Sequence, residues 1–432
     1  MTYYEQRKKR TEPFMDDRFG MFIHWGLYAI PARGEWVRSI EKISVEDYQQ
    51  YFDEFNPTNY NPKEWAKLAK KAGMKYAVMT AKHHDGFCLF DSKFTEYKAT
   101  NTLAKRDLLR EYVDAFREEG IKVGFYYSII DWYHPDYPAY GDAQHPMRDN
   151  IEFKDKEHDW DNYLKYMHNQ VHELMKNYGK IDIMWFDFSY DEFVGEKWEA
   201  TKLIKMIRGI NPDIIIDDRL AGSGATSVIM DEEPPYYAGD FESPEQIIPA
   251  GGLVDSKNRP IPWESCITLN GHWGYSRSDK NYKSAAYVVR MLAECVSKNG
   301  NLLLNVGPTA KGEIPPESVE ILEKVGKWMH GNSDSIYGCG AIDLPKPEWG
   351  RYTYNKKTNK LYAHIYENGA FSYRFEGFAD KIKKARVLYD GSEVKISRPW
   401  FTGKESADDT FIEFGTEILD VSMGIVIELT LK

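Results

Sequence analysis

The chain has 432 residues, a net charge of −11 and 42% hydrophobic residues, the balance of a globular protein with a large domain and a smaller one. That charge argues against phosphate-backbone binding, which needs clustered Lys and Arg, and the run Arg7-Lys8-Lys9-Arg10 reads as a solvated N-terminal face. No apolar signal core or membrane-length apolar stretch is present, and Cys88, Cys266, Cys295 and Cys339 are far apart with no CxxC pair, so a cytoplasmic protein with reduced thiols is expected.

Strand-like and helix-like segments alternate from the start. A strand is predicted over residues 19–25, then a helix over 62–72 with Pro62 at its start and Gly73 at its end. A strand at 75–81, a helix at 107–119 opened by Asp107, a strand at 121–128 and a helix at 162–177 follow. Next come a strand at 181–188, a helix at 196–210, strands at 213–218 and 263–269, a helix at 283–297 and a strand at 301–306. The alternation predicts a parallel sheet with helical crossovers. A doubly wound sheet would carry a Gly-rich phosphate turn after its first strand. Here His24-Trp25-Gly26 stands there instead, which favours a (β/α)8-like barrel.

Residues 221–259 are irregular and rich in Gly, Pro, Asp and Glu, the character of a long functional loop. Beyond Ile336 the pattern changes to short alternating runs at 360–366, 371–375, 384–388, 393–397, 410–414 and 424–431. Turns such as Glu367-Asn368-Gly369 and Asp390-Gly391 split them, which predicts a C-terminal antiparallel β-sandwich. The expected division is a catalytic barrel over 1–338 and a sandwich over 339–432.

Chemistry-bearing residues gather at predicted strand ends, where a parallel barrel converges on one pocket. Asp187 ends the apolar strand Ile181-Asp182-Ile183-Met184-Trp185-Phe186-Asp187 and shares a face with Trp185. Glycoside hydrolysis needs two carboxyl groups flanking one bond, and Asp187 suits the nucleophile or base, although a helix cap or salt bridge would also explain it. For the second carboxyl, Asp231, Glu232, Glu233, Asp240, Glu242, Glu245 and Glu264 all stand open. Adjacent residues of a regular strand face opposite ways, so His83-His84 is read as a hydroxyl-binding pair rather than a metal chelate, and no metal or cofactor is expected. Arg219 reads as a salt-bridge partner that orients a catalytic carboxylate.

Several segments in order, Phe22-Ile23-His24-Trp25-Gly26, Gly34-Glu35-Trp36, Lys82-His83-His84-Asp85-Gly86-Phe87, Gly124-Phe125-Tyr126-Tyr127-Ser128, Trp185-Phe186-Asp187 and Trp263-Glu264, resemble α-L-fucosidases of glycoside hydrolase family 29. So does Asn301-Leu302-Leu303-Leu304-Asn305-Val306-Gly307-Pro308. The resemblance implies a retaining exo-hydrolase that releases terminal α-L-fucose from fucosylated glycans without metal, on a barrel followed by a β-sandwich. It implies Asp187 as nucleophile, and His24, Glu35, Trp36, His83, His84, Tyr127, Trp185 and Arg219 around the fucose, with Tyr126 as the alternative to Tyr127. Glu245, in Gly239-Asp240-Phe241-Glu242-Ser243-Pro244-Glu245, matches the family's acid/base segment, with Glu264 and Glu242 as runners-up and Glu264 otherwise a substrate contact. Trp36, Trp185, Tyr127 and Trp273 are expected to build the apolar wall against the fucose methyl. No nucleic-acid or membrane partner is expected, and a homo-oligomer is left open. The alternatives are a hydrolase of a related sugar such as α-L-galactose and an inactive carbohydrate-binding protein.

Overall fold

The computed structural model describes residues 2–222, 224, 227–367, 372–400, 402–414 and 421–432. Its first sheet holds seven parallel strands: β1 (Phe19–Ile23), β2 (Tyr76–Lys82), β3 (Lys122–Ser128), β4 (Ile183–Asp187), β5 (Ile215–Ile216), β6 (Trp263–Thr268) and β7 (Gly300–Val306), in the order β5-β4-β3-β2-β1-β7-β6. Helix α1 (Tyr3–Asp17) precedes them. The short α2 (Val37–Ile40) and α3 (Val45–Glu54) join α4 (Pro62–Lys71) between β1 and β2. Helices α5 (Leu108–Glu118), α6 (Trp160–Asn177), α7 (Ala200–Ile210), α8 (Ala285–Ser297) and α9 (Pro316–Asn332) follow later strands. The crossover helices form for local reasons. In α5, the Asp107 carboxylate caps the Arg110 N–H at 2.9 Å, while Leu109, Tyr112, Val113 and Phe116 supply the buried stripe.

The edge strands β5 and β6 are joined by part of the segment expected to be loop. Asp240 N–H donates to Ile216 O at 2.6 Å, Glu242 N–H to Pro262 O at 2.9 Å, and Cys266 N–H to Pro244 O at 3.1 Å. Residues 240–246 thus stand in the place of an eighth barrel strand and close the ring. Hidden periodicity is the reason the sequence reads as loop: Pro244 breaks the run, and Asp240, Glu242 and Glu245 make it too acidic to read as a barrel strand. Gly239 makes the approach possible, since at φ +86 a Cβ there would sit 2.2 Å from Asp217 O.

Helix α1 plugs the bottom of the barrel. Thr2 and Glu5 form a capping box, and Phe14 packs on Tyr76 and Phe241 with ring centroids 5.2 and 5.1 Å away. The basic run is therefore only partly a solvated face. Arg7 is buried, and Arg10 joins Arg208 in pairing with the buried Asp240, each at 2.7 Å. This pinned carboxylate anchors the closing segment to both helices.

The C-terminal strands are β8 (Gly350–Asn355), β9 (Lys360–Ile365), β10 (Tyr373–Phe375), β11 (Ile382–Val387), β12 (Lys395–Ser397), β13 (Thr410–Glu413) and β14 (Ile425–Leu431). They make antiparallel sheets ordered β11-β14-β9-β8 and β10-β13-β12, whose inner faces share a core of Trp349, Leu361, Phe375, Ile412, Ile427 and Leu429. That is a sandwich. Residues 368 and 369 of the predicted turn and residue 371 of the predicted strand lie outside the described residues. The four cysteines are free and buried.

Candidate active site

Strand alternation decides which side chains enter the barrel. On β3 and β4, Gly124 pairs with Ile183, Tyr126 with Trp185 and Ser128 with Asp187, so these six share the inner face. Phe22, Tyr126, Trp185 and Cys266 form an inner apolar layer. Above it lies a cavity of about 160 Å³, also lined by His24, Trp36, His83, His84, Asp187, Phe188, Arg219, Glu245 and Trp273. A larger hollow of about 1080 Å³ between α9 and the sandwich is lined by charges such as Lys324, Glu393 and Lys395. The small cavity is the one where polar groups converge, and convergence is the better mark of a site.

Arg219 organises the pocket. Its Nη1 donates to Asp187 Oδ1 at 2.8 Å and its Nη2 pairs with Glu245 Oε2 at 2.9 Å, so one guanidinium draws both carboxylates together. Its Cζ lies 4.5 Å from the Trp185 ring centroid. Burial alone would lower this guanidinium, but Asp187, Cys266 and Glu245 carry it well above its ordinary value. Tyr126 donates its hydroxyl to Asp187 Oδ2 at 2.7 Å. These bonds hold both oxygens of the Asp187 carboxylate in fixed positions in the pocket. Phe188, next in the chain, takes φ +82, a conformation that is uncommon and costly for a bulky residue. The turn brings its ring to 5.3 Å from Trp36 and 4.6 Å from His84.

The three histidines are neutral. Burial drives His24 down to about 3 despite its 2.7 Å bond to Asn305 Oδ1, and it drives His83 and His84 well below the usual histidine range. His84 Nε2 is 3.9 Å from Asp187 Oδ2, but a neutral ring makes that a polar contact rather than an ion pair. Among the described residues His83 Nδ1 is buried without a hydrogen-bond partner, a group suited to a sugar hydroxyl.

The α-L-fucosidase family profile matches residues 2–334. The chain belongs to the α-L-fucosidase family. It is a glycoside hydrolase. α-L-Fucosidase isoenzyme 1 from Paenibacillus thiaminolyticus is 61% identical, with a TM-score of 0.95 over 99% of this chain and 100% of that one. An α-L-fucosidase from Bacteroides thetaiotaomicron, solved as a trapped covalent intermediate in complex with 2-fluoro-fucosyl fluoride, is 30% identical with a TM-score of 0.83, covering 98% and 96% of the two chains. Human tissue α-L-fucosidase is 28% identical over 83% of this chain and 77% of its own length.

Within this α-L-fucosidase, the pocket gathers His24, Trp36, His83, His84, Trp185, Asp187, Arg219, Glu245 and Trp273. Five expectations change. Tyr127 lies on the outer face of β3, where its hydroxyl donates to Gln170 of α6 at 2.8 Å, so the alternative, Tyr126, is the pocket tyrosine. Glu264 is fully buried in the barrel interior and accepts from Tyr76 and, at 3.3 Å, from Trp185 Nε1. It touches neither sugar space nor solvent, and burial pushes its carboxyl up to about 7. Glu242 is also buried, tied to Ser227 at 2.7 Å and outside the pocket lining. Glu35 stands behind the wall, where its carboxylate accepts the Gly274 N–H at 2.8 Å and so holds the Trp273 loop. The strand argument about His83 and His84 fails because both lie beyond the end of β2, so the pair faces one cavity with ring centroids 4.1 Å apart.

Phe22, Cys266 and Phe188 were not expected in the pocket. Period-two counting finds Phe22 from His24, but nothing local announces the turn at Phe188.

Tyr126→Phe removes a hydroxyl bound to a charged group, worth roughly 1.5–3 kcal/mol. It should lower kcat/KM for 4-nitrophenyl α-L-fucoside roughly 10- to 100-fold. Tyr127→Phe should leave kcat/KM within about twofold and lower only thermal stability, by about 1 kcal/mol. Steady-state kinetics on the two variants reads the difference.

Proposed function

We propose that this chain is an exo-acting, retaining α-L-fucosidase in which Asp187 is the nucleophile and Glu245 the acid/base. The observation that carries the reading is Arg219 bridging both carboxylates at the mouth of a cavity with room for one sugar ring. In the first step an Asp187 oxygen bonds to the anomeric carbon while the glycosidic C–O bond breaks, and the leaving oxygen takes a proton from Glu245. In the second, Glu245 takes a proton from water, the water oxygen bonds to the anomeric carbon, and Asp187 leaves. Two inversions give net retention. Glu245 suits proton exchange with the leaving group because its side chain remains 44% exposed, whereas that of Asp187 is 11% exposed. His24, His83 and His84 read ring hydroxyls as neutral donors and acceptors.

The apolar wall explains sugar choice. Phe22, Trp185 and Trp273 stand together, with ring centroids 5.2 and 5.8 Å from Phe22. A methyl group fits such a wall, and an apolar pocket rejects one added hydroxyl only on the order of a hundredfold. Nitrophenyl α-L-fucoside should therefore be the best substrate of an aryl glycoside panel. The α-L-galactoside should follow with about 100-fold lower kcat/KM, and the β-D-glucoside should not turn over. Equal or faster hydrolysis of the L-galactoside would overturn the fucose assignment.

A further inference from the structure

Behind Arg219 lies a buried polar chain that the two chemical steps do not use. Arg219 Nε donates to Ser243 Oγ at 3.0 Å, and Nη2 donates to Ser243 O at 3.2 Å. Ser243 passes its own proton to Asp218 Oδ1 at 2.7 Å. The other Asp218 oxygen is 2.8 Å from Ser227 Oγ, and that hydroxyl is also 2.7 Å from Glu242 Oε2. Asp218, Glu242 and Ser243 are all buried.

The proton count at Ser227 requires that one of the two carboxyls be protonated. A serine hydroxyl has one proton to give, so it can donate to only one of two carboxyl oxygens. The other contact holds only if a carboxyl supplies the proton; otherwise two lone pairs face each other in a dry interior. Asp218 accepts Ser243 on its first oxygen, and in the arrangement where both its oxygens accept, Ser227 donates to the second and Glu242 donates to Ser227. The chain then runs in one direction, from Glu242 through Ser227 to Asp218, with Asp218 holding Ser243 and Ser243 holding Arg219.

We propose that Glu242 is a positioning residue kept as a neutral acid, and that its proton maintains the Asp218–Ser243 clamp on the guanidinium that carries Asp187 and Glu245. The inference rests on the roles proposed above for those two carboxylates. Burial, then the Asp218 charge, pushes Glu242 up to about 9, so it stays protonated through neutral pH. The charged groups bearing on it are Asp218 and Arg219 after β5. Ser227 reaches it from the preceding connection, and on β6 Glu264 is turned toward Tyr76 and Trp185. Ionisation would set two carboxylates against each other and leave the Ser227 contact without its proton. The clamp would loosen and Arg219 with it.

The test is the pH dependence of kcat/KM on 4-nitrophenyl α-L-fucoside, whose departure needs little protonation, so an alkaline limb does not report Glu245. The wild-type protein should lose activity as pH rises through about 9. Glu242→Gln keeps a donor toward Ser227 and cannot ionise, so the limb should flatten or move up by at least about one pH unit, with circular dichroism confirming the fold. Glu242→Ala, which keeps no donor, should lower kcat/KM at least tenfold across the range. Asp218→Asn removes the charge that raises Glu242, so its limb should move to lower pH. An unmoved limb in both Glu242→Gln and Asp218→Asn, or wild-type kcat/KM in Glu242→Ala, would overturn the proposal. Absence of fucoside hydrolysis in the wild-type protein would instead overturn the functional reading beneath it.

Discussion

Asp187→Ala should lower kcat/KM for 4-nitrophenyl α-L-fucoside by a factor on the order of 10⁴ or more, the scale on which losing an essential nucleophile is felt. The covalent intermediate cannot form without the carboxylate, and the remaining groups bind the sugar without attacking it. The substitution also leaves the buried Arg219 with Glu245 as its one ion-pair partner in this pocket, so the fold should be checked by thermal melting. The truncated side chain opens space on the face of the anomeric carbon opposite the leaving group. Azide entering that space should restore part of the turnover and give the β-L-fucosyl azide, with inverted configuration. A folded Asp187→Ala protein with near-wild-type rates would remove Asp187 from the mechanism.

Glu245→Ala should divide substrates by leaving group. General acid catalysis contributes roughly 10²- to 10⁴-fold, and that contribution falls on leaving groups that depart poorly as anions. Hydrolysis of fucosylated oligosaccharides should drop by that range, while cleavage of the nitrophenyl fucoside should suffer much less in the first step. Glu264→Ala provides the contrast. Glu264 holds the Trp185 indole from inside the barrel, so its loss should damage both substrate types alike. Selective damage to oligosaccharides by Glu264→Ala, with Glu245→Ala harmless, would transfer the acid role.

The parallel barrel was legible because several strands end in a distinct polar or aromatic signal and several helices carry a local start mark and a buried stripe. Asp107 before α5 and Pro62 at the start of α4 are local marks that tertiary structure did not override. The helices α1, α2, α3 and α9 and the strand β8 were not predicted. Among these, α1 carries a basic run and Pro13, and its helical state depends on Phe14 entering the barrel and on Arg10 meeting Asp240, contacts that sequence spacing does not reveal. The same holds at the closing segment. Residues 240–246 are held by their neighbours rather than by strand propensity, and so Glu245, near their end, could be named only by resemblance.

Site residues divide along the same line. Asp187, Trp185 and His24 follow from period-two counting along a strand. Tyr126 against Tyr127 is a one-residue register choice that adjacent tyrosines hide and a strand pairing decides. His83 and His84 defeat the counting because the strand has already ended at Lys82. Glu264 drew attention as a carboxyl at a strand, but its side chain points into the barrel below the pocket rather than to its mouth.

The account turns on a covalent bond at Asp187, and trapping that bond is its most direct test. The protein should be incubated with 2-fluoro-fucosyl fluoride, its intact mass measured, and the modified peptide sequenced by fragmentation. The fluorine slows both steps by destabilising the cationic transition state, while fluoride leaves readily without an acid, so the intermediate should accumulate. The expected result is one 2-fluoro-fucosyl group per chain, located on Asp187 and absent from Asp187→Ala. An unmodified protein that nonetheless hydrolyses the reagent, or a label on any other carboxylate, would contradict it.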